Sequence, residues 1–104
     1  MVRYGIQLDS DAISRFCARW RICSLSVFGS VLRADFRSDS DIDFVADFGV
    51  DAPWDLIDLE EMKDELAGIV GRKVDLLSRY AVERSQNPYR KQHILSTEER
   101  VYAA

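Results

Sequence analysis

The sequence predicts an α/β (α+β) fold, a minimal core with a short mixed β-sheet and helices packed mainly on one side. Three observations carry this. The runs Ile22 to Phe28, Asp41 to Phe48 and Lys73 to Ser78 have strand length and apolar content, whereas residues 10–20 and 54–70 place apolar residues at helical spacing. Turn, cap and break signals fall between these stretches, at residues 37–40, at 49–53, at Gly71 and at Asn87-Pro88. At 104 residues the chain suits one domain, residues 1–104, with a real core and no room for a second globular unit.

In order, Asp9-Ser10-Asp11 offers N-cap candidates, and Ile13, Phe16, Cys17 and Trp20 recur on one face, which predicts a helix over 10–20. Ile22 to Phe28 is the first strand. A short helix is expected from Ser30 to Ala34, then a turn over residues 37–40 leading into the strand Asp41 to Phe48. Residues 49–53 form a loop. From Trp54 to Val70, Ile57, Leu59, Met62, Leu66, Ile69 and Val70 keep a helix period, and Gly71 is placed to cap its end. Lys73 to Ser78 is a third strand. Ala81 to Gln86 starts another helix, Asn87-Pro88 breaks the chain, and Tyr89 to Tyr102 reads as a weakly amphipathic C-terminal helix. The aromatics Trp20, Phe28, Phe36, Phe44, Phe48 and Trp54 read as core rather than as a stacking platform for bases.

Composition narrows the function. With 14 basic and 18 acidic residues the net charge is −4, and the basic residues are scattered, so no stripe for a long nucleic acid is present. The hydrophobic fraction of 47% and charged fraction of 31% are those of an ordered globule. Cys17 and Cys23 read as buried free thiols, and His93 is the only histidine, which excludes a Cys/His metal knuckle. No secretory pattern and no run approaching the roughly 20 apolar residues of a membrane helix is seen, so the expected compartment is the cytoplasm.

The chemistry concentrates between residues 27 and 45. Gly29-Ser30 follows the first strand, where a glycine admits backbone N–H groups to a phosphate and a serine adds a hydroxyl. Ten residues later come Asp41 and Asp43, which as alternate residues of a strand share one face about 7 Å apart. Two acids on a strand that enters the core repel each other, and a divalent cation offsets that repulsion. Asp75 is a lone acid inside the apolar strand Val74-Asp-Leu-Leu77, where its desolvation is costly without a cation. Asp47 shares the parity of Asp43 but lies about 13 Å further along the strand, too far for the same ion. Asp35 and Asp39 read as turn and cap residues. Arg33 is placed to reach phosphates held at Ser30, or to form an ion pair with Asp35 or Asp39.

The arrangement G-S-x10-D-x-D resembles the signature of the DNA polymerase β-like nucleotidyltransferases, and most closely the minimal nucleotidyltransferase (MNT) family. The likeness extends to Ile22–Ser26, Gly71–Leu77, Asn87–Leu95 and Val101-Tyr-Ala103, nearly the whole chain. It implies the catalytic and metal-binding trio Asp41, Asp43 and Asp75, a nucleotide cradle of Gly29, Ser30 and Arg33, two Mg²⁺ ions, and ATP as substrate. Asp75 would then lie nearest the attacking group and could take its proton. Short members of this family pair with a HEPN ribonuclease toxin as its antitoxin, transferring AMP to a toxin tyrosine, so the expected assembly is a hetero-oligomer with the toxin or a homodimer. Two alternatives stand beside this: an antitoxin that acts by occlusion without catalysis, and a transferase acting on a small molecule or an RNA end.

Overall fold

The computed structural model describes residues 2–3, 6–7, 9–28, 41–48 and 53–104. The expected helix at 30–34, the turn at 37–40, Phe36 and most of the 49–53 loop lie outside these residues, as do Gly29, Ser30, Arg33, Asp35 and Asp39.

Two two-residue strands, β1 (Val2–Arg3) and β2 (Ile6–Gln7), pair antiparallel. Helix α1 (Ser10–Arg19) follows, capped by Asp9, whose carboxylate accepts the Ala12 N–H at 3.1 Å. Strands β3 (Ser24–Phe28) and β4 (Ile42–Asp47) come next. Helix α2 (Leu56–Val70) has a reciprocal capping box between Asp55 and Asp58 and ends on Gly71 at φ 74°, the left-handed cap its sequence predicts. The N–H groups gathered by Asp55 hold its carboxyl below the usual carboxylate range.

Strand β5 (Val74–Ser78) leads directly into helix α3 (Arg79–Glu83), then α4 (Pro88–Thr97) and strand β6 (Glu99–Ala103). Proline at the first position of α4 costs the helix no hydrogen bond, and the Asn87 side chain accepts the Tyr89 N–H at 3.1 Å.

The main sheet has the order β5-β4-β3-β6. β3 pairs antiparallel with both β4 and β6, while β4 and β5, joined through α2, run parallel. Alternation splits the strand side chains between two apolar clusters. On one face Leu25, Val27, Ile42, Phe44 and Leu76 meet Ile13 and Phe16 of α1 and Met62 and Leu66 of α2. This is the larger core, and it holds α1 and α2. On the other face Phe28 and Val45 meet Val82 of α3 and Ile94 of α4, with Leu77 and Leu95 against them.

Several expectations need correction. Residues 99–102, read as the end of a helix, form with Ala103 an edge strand, so the main sheet has four strands rather than three. Glu99 and Arg100 are exposed and Val101 and Tyr102 half-buried, a pattern without the clean alternation that would mark a strand. The helix expected from Ala81 begins at Arg79, because Ser78 ends β5 and caps the next turn by accepting the Ala81 N–H. Cys17 is buried but Cys23 is exposed, sitting in the bend before β3. Phe28 and Phe44 are buried, and Trp20, Phe48 and Trp54 pack against the core, as their positions suggested.

Candidate active site

Asp43 and Asp75 are register partners on the parallel pair β4 and β5. Neighbouring strands lie about 4.8 Å apart, and opposed residues share a face, so the two carboxylates stand side by side. Asp43 also faces Phe28, the last residue of β3, across the antiparallel pair. Both acids are half-buried and lie on the face of the smaller cluster, in line with Val45 and Leu77. One Asp75 oxygen accepts the Leu76 N–H at 3.0 Å, which fixes the orientation of that carboxylate.

Asp41 is exposed and precedes β4, whose ladder begins where the Ile42 N–H meets the Lys73 carbonyl at 3.0 Å. It borders a cavity of about 280 Å³ with Lys63, Asp64 and Ala67 of α2 and with Lys73 and Val74. The structure thus brings Asp43 and Asp75 together and sets Asp41 at the rim. Among the described residues no three His, Cys, Asp or Glu side chains gather closely enough to hold a metal ion.

The donor set nevertheless suits a hard divalent cation. Mg²⁺ retains several waters and takes one or two carboxylates plus substrate phosphates, which the oxygen pair of Asp43 and Asp75 can supply. Asp47, the competing acid, stands 4.0 Å from Arg79 Nε, and Arg79 also pairs with Glu98. That network ties the end of β4 to the residue preceding β6, a structural role that answers why the acid is there. Arg79 had no signal in the sequence, since its partners come from distant positions. The lysines at 63 and 73 were equally unmarked, one inside the predicted helix 54–70 and the other at the start of the predicted third strand.

Residues 10–101 match the family model described as a nucleotidyltransferase domain. A protein of Methanocaldococcus jannaschii provisionally named a protein adenylyltransferase is 33% identical over 76 residues, covering 73% of this chain and 72% of its own. Among solved structures, one provisionally named a minimal nucleotidyltransferase is 30% identical with a TM-score of 0.66, covering 86% of each chain. A toxin–antitoxin crystal structure with AMP-PNP superposes with a TM-score of 0.70 at 20% identity, over 93% of this chain and 75% of that one. A complex of a tri-AMPylated Shewanella oneidensis HEPN toxin with its MNT antitoxin gives 0.60 at 20% identity, over 91% and 70%. The last two likenesses speak for the fold. With the family model matched over residues 10–101 and a relative 33% identical over 73% of the chain, the chain belongs to the nucleotidyltransferase domain family.

Proposed function

We propose that this protein is a Mg²⁺-dependent adenylyltransferase that moves AMP from ATP to a tyrosine hydroxyl of a HEPN ribonuclease toxin and so serves as its antitoxin. The observation that carries the reading is the side-by-side placement of Asp43 and Asp75 on one sheet face. The relatives' names support the activity, and the AMP-PNP and tri-AMPylated toxin complexes support the nucleotide and the acceptor.

In this reading Asp43 and Asp75 would hold the cation, and Asp41, set apart from them in this structure, would join its ligands only once metal and triphosphate draw it in. The bound cation supplies positive charge where the triphosphate and its transition state carry negative charge. Gly29 and Ser30 offer N–H and hydroxyl groups to the phosphates, and Arg33 adds a cation. The tyrosine oxygen attacks the α-phosphorus, its proton passes to the Asp75 carboxylate, and the bond to the leaving pyrophosphate breaks. The chain works as one domain in the cytoplasm, bound to its toxin. Among the described residues no helix is long and apolar enough to cross a membrane.

The test is co-incubation with ATP, Mg²⁺ and the helical protein encoded beside it. The expected result is protection at less than one antitoxin per toxin, with AMP found on a toxin tyrosine by mass spectrometry. An Asp41→Asn, Asp43→Asn double variant should fold, yet fail to protect cells. Full protection by that variant with an unmodified toxin would establish occlusion instead.

A further inference from the structure

We infer that the cleft between α3 and α4 receives the nucleobase of the nucleotide substrate; this rests on the nucleotidyltransferase reading and adds to it the group that holds the base. The cleft is lined by Leu77, Ala81, Val82, Ser85, Lys91 and Ile94 and has a volume of about 120 Å³. Leu77 follows Asp75 by two residues on the same face of β5, about 7 Å along the strand. The acid pair and the cleft therefore share one continuous face, phosphate chemistry at one end and an apolar floor at the other.

Size and chemistry select the occupant. Pockets that bury a drug-sized ligand run from about 300 Å³ upward, so this one admits a single flat ring system rather than a whole nucleotide. Its floor is Leu77, Val82 and Ile94, of which Val82 and Ile94 are 6% and 2% exposed, and these offer aliphatic contact to a ring face. Its rim carries two donors. Lys91 ends in an ammonium, which only donates, and the Ser85 oxygen already accepts the Asn87 N–H at 3.2 Å, leaving its proton to give. Such a rim suits the ring-nitrogen acceptors that all purines carry, including the N7 common to adenine and guanine. ATP and GTP are accordingly both accepted.

The experiment is titration of the full chain with ATP and, separately, with inorganic tripolyphosphate, each with Mg²⁺. Ala81→Trp, on the exposed side of α3, fills the cleft; Lys91→Met removes a donor and keeps most of the stem. Expected is a loss of roughly tenfold or more in ATP affinity for Ala81→Trp, a smaller loss for Lys91→Met, and unchanged tripolyphosphate binding in both. Unchanged ATP affinity in a folded Ala81→Trp overturns the assignment, as does an equal loss of both ligands in Lys91→Met, which would place that lysine at the phosphates. If Ala81→Trp does not fold, Lys91→Met decides alone. A parent that binds tripolyphosphate as tightly as ATP refutes the cleft and leaves the transferase reading standing; a parent that binds neither refutes both.

Discussion

The indole N–H of Trp54 donates to the backbone carbonyl of Trp20 at 2.8 Å, and the two rings meet edge to face with centroids 5.2 Å apart. Trp20 sits at the C-cap of α1, where carbonyls lack helical partners, and its own indole donates to Glu65 of α2 at 2.9 Å. One aromatic pair thus joins the end of α1, the approach to α2 and the middle of α2. Trp54→Phe keeps most of the ring and removes the donor. Urea unfolding should show a loss of about 1–2 kcal/mol, and no loss would mean that water serves the Trp20 carbonyl equally well.

Asp75→Asn tests the acid pair. The amide oxygen can still accept the Leu76 N–H, so the local geometry survives while one of two opposed charges disappears. Without metal the variant should be more stable by roughly 0.2–1 kcal/mol, the size of cross-strand pair effects, because like charges directly opposed across strands destabilise. Its melting temperature should no longer respond to Mg²⁺, and AMP transfer should fall at least about a hundredfold. A variant that melts below the parent and keeps its Mg²⁺ response would remove Asp75 from the site.

Gly71→Ala isolates a backbone effect. The residue holds φ +74°, and a Cβ there would meet nothing within 4 Å, so crowding plays no part. The left-handed conformation alone should cost about 1–2 kcal/mol in a thermal or chemical melt. An unchanged midpoint would show that the end of α2 can rewind at no cost.

The two thiols should behave oppositely. Cys23 is exposed and should react with a thiol reagent in the native protein, while Cys17, 0% exposed, should react only on unfolding. Burial pushes the Cys17 thiol up to about 12 from 9.0. Because its folded value lies above the unfolded one, its contribution to stability is complete below about pH 9 and is lost as pH rises toward 12. Cys17→Ala should lower overall stability but flatten that alkaline decline; an equally steep decline in the variant would assign it to other groups.

The sequence made some of this legible and hid the rest for identifiable reasons. Gly71 and the apolar period of α2 spoke locally, and so did the lone acid in Val74-Asp-Leu-Leu77. The lateral match of Asp43 with Asp75 did not, because register between parallel strands joined through a helix is decided by packing of α2 on the sheet, not by any turn. Strand β6 was hidden because an edge strand buries little and carries charge, as Glu99 and Arg100 do. The strands β1 and β2, two residues each, are too short to generate a period at all.

Strand β6 also sets an order of assembly. Ser24 of β3 pairs with Ala103, and the Ala104 N–H reaches the Cys23 carbonyl at 2.8 Å, so this edge of the sheet closes a loop of about 80 residues. Closing so long a loop carries an entropic cost of about 4 kcal/mol beyond its constant part, repaid only once the other strands present a finished edge. β3 and β4 therefore come together first and β6 zips on last, and β6 amides should be the earliest of the main sheet to exchange with deuterium while those of β4, paired on both sides, are the latest.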